Sequence, residues 1–222
     1  MPKRPPPDAD PPLLIACALG IERFALRGGD RGGAAGAERP EVVVLRTGIG
    51  PQAAESALTE ALGEGTVTAR SPVVASGFCA GLAPGMRPGD VVVAEATRDH
   101  RPGAPDVTCR DNGPLLGALR RRGLTVHSGL LRGSDHVVRG PERAALHAAG
   151  AIAVDMESAA TLGVARRSGG RPVAAVRVVV DAPEHELVRI GTVRGGISAF
   201  TVLRSMLPVF YEWHRSLLLP RR

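Results

Sequence analysis

Four acidic residues stand where an apolar run gives way to a turn or a helix: Glu22, Asp155, Glu157 and Asp181. The densest such stretch is 151–181, A-I-A-V-D-M-E-S-A-A-T-L-G-V-A-R-R-S-G-G-R-P-V-A-A-V-R-V-V-V-D. Apolar runs that stop at carboxylates read as a site as well as a core, because open α/β sheets take ligands at the carboxyl ends of their strands. Glu157 opens a helical segment. Its carboxylate can cap that helix against the dipole, or it can accept two hydrogen bonds from a vicinal diol such as a ribose. Asp181 follows three valines and precedes Ala182-Pro183. A carboxyl beside an apolar strand suits a general acid; a cap or turn aspartate is the equal alternative.

Two glycine turns join these acids. Thr47-Gly48-Ile49-Gly50 sits between an apolar run and a helical one, where backbone N–H groups can face an anion. It lacks the third glycine of a dinucleotide fingerprint and the Gly-Lys-Ser/Thr of a P-loop, so an ordinary strand-to-helix turn is the favoured reading. The other is Ser76-Gly77-Phe78-Cys79-Ala80-Gly81. Cys79 reads there as a small packed residue rather than a nucleophile. Ser76-Gly77 is not a nucleophile elbow, and no Ser–His–acid set stands out.

These residues need strands and helices in alternation to hold them. Strands are expected over 13–19, 42–46, 72–76, 90–96, 124–131, 151–155 and the run ending at Asp181. Helices are expected over 52–62, 114–122, 141–149 and after Glu157. Residues 28–39 and 99–112 read as loops. Apolar residues at Ile197, Phe200, Leu203, Met206, Leu207, Phe210 and Trp213 keep helical spacing, so one helix is expected over 197–213, kinked at Pro208. The pattern predicts one α/β domain over 13–216, with a central, mostly parallel, twisted mixed sheet flanked by helices. A disordered Pro-rich tail is expected over 1–12 and a short tail over 217–222.

The chain has 222 residues, of which 44% are hydrophobic and 3% aromatic, so a real core must be built mainly from Val, Leu, Ala and Ile. Net charge is +6, yet Lys3 is the only lysine, and Ala, Gly, Pro and Arg are all abundant. That is a coding bias more than a nucleic-acid signature. The tight basic runs Arg120–Arg122 and Arg166-Arg167 fall on expected helices and lack interleaved aromatics for stacking on bases. Three cysteines (Cys17, Cys79, Cys109) at wide spacing suggest neither a disulfide framework nor a zinc site. The six histidines form no ligand-spaced pair with them. No metal or cofactor is expected, and the setting is expected to be reducing and cytoplasmic. Leu13–Leu19 is too short to span a membrane.

Taken together, the motifs A-L-G-I-E-R, T-G-I-G, S-G-F-C-A-G-L-A-P-G-M-R-P-G-D-V-V-V-A and V-D-M-E-S-A-A followed by V-R-V-V-V-D resemble one family. They are similar to the nucleoside phosphorylase and nucleosidase superfamily, in its 5′-methylthioadenosine/S-adenosylhomocysteine nucleosidase branch. Within it the pattern looks closest to hopanoid-associated phosphorylase-like proteins, whose implied role is removal of adenine from adenosylhopane. The resemblance covers roughly Leu14 to Phe210. It implies that Glu22 activates water, Met156 and Glu157 bind ribose, and Asp181 protonates purine N7. It also implies that Ser76 to Gly81 line the sugar, and that Val137 lies where an aromatic residue would cover the base.

The phosphorylases of this superfamily carry an arginine just ahead of the third-strand glycine turn, which here reads V-V-A-S-G-F-C-A-G. Hydrolysis is therefore favoured. Arg23 and Arg46, close to the two relevant turns, keep phosphate as the alternative co-substrate. Three positions depart from the family. Asp155 replaces a glutamate, Val180 stands where a serine that orients the acid is common, and Phe78 stands where a small residue is usual. The resemblance further implies a homodimer and a small-molecule nucleoside; the hopanoid-associated likeness implies a lipid-linked one, met close to a membrane. The C-terminal 209–213 and 217–222 read as a core helix with a frayed tail, or as a segment covering a lipid tail. A non-catalytic nucleoside-binding protein is the reading from a different class.

Overall fold

The computed structural model describes residues 10–29, 40–65, 67–183 and 192–219. The expected tail through residue 9, the loop residues 30–39, His185 and residues 220–222 lie outside these. Strand β1 (Leu13–Cys17) is wholly buried and pairs in parallel with β2 (Val42–Arg46) on one side and β3 (Val73–Gly81) on the other. Helix α1 (Gly20–Gly28) follows β1, and α2 (Pro51–Gly63) follows β2 with proline at its first position, where no N–H is needed.

The remaining strands are β4 (Val91–Arg98), β5 (Val107–Thr108), β6 (Val126–Gly133), β7 (Ala151–Asp155) and β8 (Val173–Asp181). Between them lie α3 (Gly113–Arg121), α4 (Pro141–Ala148) and α5 (Ser158–Arg167). The sheet runs β2-β1-β3-β7-β6-β4-β5, and β8 pairs with both β3 and β4. Strands β3, β7, β6, β4 and β8 thereby close into a ring. Parallel pairs dominate, with antiparallel exceptions at β3–β7, β4–β5 and β4–β8. This is the α/β architecture expected, with a mixed sheet flanked by helices.

Apolar residues on both faces of the strands demand cover on both sides. One core packs β1, β4 and β8 against α1, α3, α6 (Thr192–Arg204) and α7 (Leu207–Leu218). The other includes residues of α2 and α5. Phe210 and Trp213 are fully buried in the first, and truncating either to alanine would cost about 3–5 kcal/mol.

Three expectations are corrected. β3 does not stop at Ser76 but continues through the glycine stretch to Gly81, because β8 pairs with it along that length, with a register shift at Cys79/Ala80. The segment 99–112 is not all loop, since β5 pairs with β4. The C-terminal helix is not one kinked helix but two, α6 and α7. Pro208 sits in the first turn of α7, and Leu217 and Leu218 continue that helix. Proline at a helix start costs nothing, whereas inside one it removes a hydrogen bond.

Candidate functional site

The ends of β1, β3, β7 and β8 open on one cavity of about 290 Å³, near the lower bound of small-molecule sites. Glu22, Glu157 and Asp181 all line it, although 159 residues separate the first from the last in sequence.

Glu22 is in the first turn of α1 and is 2% exposed. Its Oε2 accepts from the N–H groups of Ala18 and Leu19, both at 2.8 Å, and its Oε1 accepts from Phe78 N–H at 2.7 Å. Leu19 is the N-cap residue, so Glu22 supplies the reaching-back half of a capping box; the leucine side chain has no acceptor to return. The Phe78 bond ties α1 to β3. Gly77 makes that approach possible. A Cβ there would lie 2.7 Å from the Glu22 carboxyl carbon and 2.7 Å from Arg177 Nη1, and its φ of 142° suits glycine alone.

Glu157 is the N-cap residue of α5 but its side chain does not cap it. Oε1 instead accepts from Gly50 N–H at 2.8 Å, drawing the Thr47–Gly50 turn onto the cavity rim. Desolvation by burial pushes its carboxyl above the ordinary range, opposed by nearby Arg177. The capping work falls to Asp155, whose oxygens accept from Ser158 N–H at 3.3 Å and from Ser158 Oγ at 2.5 Å.

Asp155 also meets the one cation in β8. Arg177 Nε lies 2.7 Å from Asp155 Oδ2, with both side chains 1% exposed. The same Nε donates to Ser158 Oγ at 2.8 Å, and Nη1 donates to Ser76 O at 3.2 Å. Desolvation works against the Arg177 charge, yet Asp155, Glu157 and Glu22 outweigh it and raise its pKa.

Asp181 ends β8 and is tied to α4. Arg143 Nη1 donates to Asp181 Oδ1 at 3.3 Å, Nη2 donates to Oδ2, and Nε donates to Val138 O at 3.3 Å. Arg143 is 7% exposed and lines the cavity.

The other expected residues divide. Phe78, Cys79, Met156, Val137 and Asp155 line the cavity; Ser76 and Gly77 lie behind it. Ser76 is fully buried. Burial, then Asp155, pushes the Cys79 thiol far up, which suits packing and not nucleophilic attack. Of the glycine turn only Ile49 reaches the cavity; Gly50 positions Glu157, and Thr47 Oγ1 bonds Gly48 O at 2.9 Å. Ile49 and Val137 are 64% and 62% exposed at the cavity's edge. Arg23 and Arg46 do not line it. Among the described residues no His/Cys/Asp/Glu group has metal-binding geometry.

Sequence reasoning missed Arg143 and Arg177. A lone arginine inside A-A-V-R-V-V-V was a signal for the second, since a buried charge requires a partner. Nothing local marks Arg143, whose partner lies 38 residues away.

Solved structures share this fold. An S-adenosylhomocysteine nucleosidase from Streptococcus pyogenes, in complex with 5-methylthiotubericidin, superposes with a TM-score of 0.74 at 16% identity, covering 97% of this chain and 100% of that one. The 5′-methylthioadenosine/S-adenosylhomocysteine nucleosidase of Neisseria meningitidis, in complex with methylthio-immucillin-A, gives 0.69 at 22% identity over 92% and 99%. Futalosine hydrolase of Helicobacter pylori gives 0.74 at 15% identity over 93% and 98%. No curated protein matches in sequence. The Phosphorylase superfamily profile matches residues 32–192, most of the chain, and the protein belongs to that superfamily.

Proposed function

We propose that the protein hydrolyses the N-glycosidic bond of an adenosyl compound and releases adenine. The observation that carries this is the convergence of Glu22, Glu157 and Asp181 on one cavity. Breaking the bond leaves positive charge on the sugar and negative charge on the departing purine. Glu22 draws a proton from water as the water attacks the sugar. Glu157 accepts the ribose hydroxyls through the oxygen lone pairs that Gly50 leaves free. Asp181, with Arg143, serves the leaving base. Each interaction strengthens as charge develops, which is what lowers a barrier.

Hydrolysis is favoured over phosphorolysis by charge. Four carboxylates line the cavity, and its one arginine, Arg143, is already paired with Asp181. Phosphate would meet repulsion there. The nucleosidase activity named for the Streptococcus and Neisseria proteins agrees with this reading.

For the sugar's substituent we favour an apolar chain, as in adenosylhopane. Ile49 and Val137 expose an apolar edge beside the cavity, and Val180 and Phe78 make its wall greasier. Among the described residues no helix is long and apolar enough to cross a membrane, so a lipid-linked substrate would be met from the surface.

The test is adenine release from adenosylhopane and from methylthioadenosine, with and without phosphate. Release from the lipid without phosphate is expected. A phosphate requirement refutes hydrolysis, and release from methylthioadenosine alone refutes the lipid. Glu22→Gln is expected to cost about 10²–10⁴ in kcat; an unchanged rate assigns water activation to another base, and no release by the wild-type protein leaves a binding protein.

A further inference from the structure

We propose that Arg143 is a catalytic residue for the leaving group: its guanidinium donates to purine N7 while Asp181 accepts from the 6-amino group. The assignment rests on the nucleosidase reading and deepens it.

An arginine carries five N–H donors in a fixed fork. Arg143 spends Nε–H on Val138 O and one hydrogen of each terminal nitrogen on Asp181. One N–H on each terminal nitrogen is left, and the carboxylate keeps lone pairs away from the arginine. Both groups line the cavity. The pair therefore offers a donor and an acceptor side by side. Adenine's edge is the complement, with N7 an acceptor and the 6-amino group a donor. A 6-oxopurine presents two acceptors there and would set its O6 against the Asp181 carboxylate.

The pair also accounts for a departure in the sequence. Val180, beside Asp181, has no polar group with which to orient the carboxylate. Arg143 reaches it from α4 instead, anchored by Val138 O. Because the orienting group is a cation, it can stabilise charge itself. When the C1′–N9 bond breaks, its electron pair goes to the purine, and the charge-assisted bond from Arg143 to N7 strengthens. Water adds its oxygen to C1′ and loses a proton to Glu22. The released purine takes a proton from solvent, and Glu22 returns its own.

The test compares two leaving groups in the full-length protein. An adenosyl nucleoside needs help at N7, whereas a nitrophenyl riboside departs without it. Arg143→Met is expected to lower kcat on the adenosyl nucleoside by about 10²–10³-fold, as for loss of one preorganised donor. On the nitrophenyl riboside the same variant should stay within about tenfold of wild type, which also reports an intact fold. Arg143→Lys is expected to recover part of the loss, and wild type to favour adenosine over inosine. Equal losses on both leaving groups would overturn the role of Arg143 while leaving the nucleosidase reading standing. No purine release by the wild-type protein would overturn both.

Discussion

Replacing Arg177 with methionine keeps most of the side-chain volume in β8 and removes its charge. The consequence follows from what surrounds it. Asp155 lies 2.7 Å away with its side chain 1% exposed, and Glu22 and Glu157 also act on the guanidinium. Without Arg177 these carboxylates are left buried and uncompensated. Removing one partner of a buried ion pair costs about 3–5 kcal/mol. For a chain of this size each kcal/mol moves Tm by about 2–4 °C, so Arg177→Met should melt about 6–20 °C lower. The chain's single tryptophan, Trp213, is fully buried on α7 and reports urea unfolding by its fluorescence. Adding Asp155→Asn should recover part of the loss, because asparagine can still accept from Ser158 N–H while carrying no charge. The coupling between the two changes should be about 1–3 kcal/mol. An Arg177→Met cost of under about 1 kcal/mol would put the pair in the range of exposed ion pairs and refute the reasoning. Strict additivity in the double variant would do the same.

Two further outcomes are expected. Gly77→Ala should destabilise by about 2–6 kcal/mol, from overpacking against Glu22 and Arg177 together with the strained positive φ, and urea titration would show it. Substrate binding should weaken as pH falls through the Glu157 value, which burial raises above 4.5, because the protonated group has lost acceptor strength for the sugar hydroxyls. Kd measured against pH should show this fall, and Glu157→Gln should flatten it. The raised carboxyl acts oppositely on folding: the native state holds this proton more tightly than the unfolded chain, so its contribution to stability improves as pH drops through that window.

Much of the fold was legible because parallel strands covered on both faces read as unbroken apolar runs, as in V-V-V-L-R and V-V-V-A. The extension of β3 was not, because glycine and small residues weaken a strand pattern, and here they are held by pairing with β8. Periodicity also ran straight across the α6–α7 break, since Leu203, Met206, Leu207 and Phe210 all face the same core on either side of it. At the site, residue types at strand ends marked Glu22, Glu157 and Asp181. Their partners were not marked. Glu157 bonds Gly50 at a separation of 107 residues, and Glu22 bonds Phe78 at 56. Asp155, not Glu157, caps α5, because β7 carries Asp155 to within reach of the first free N–H of that helix.

The charges around the cavity have an order that the proposed chemistry would use. In the proposed pose Glu22 and Glu157 would face the sugar, where positive charge would grow, and Arg177 is buried near them without lining the cavity. Arg177 cancels enough negative charge to let carboxylates be buried close together, yet it does not face the sugar. Arg143 lines the cavity and in that pose would face the base, where negative charge would grow. Exchanging the two functions would fail physically. A cation facing the sugar would oppose the charge that develops there, and a bare carboxylate facing N7 would oppose departure of the base. Two arginines with the same chemistry would thus do different work, because one is sealed away from the cavity and the other lines it.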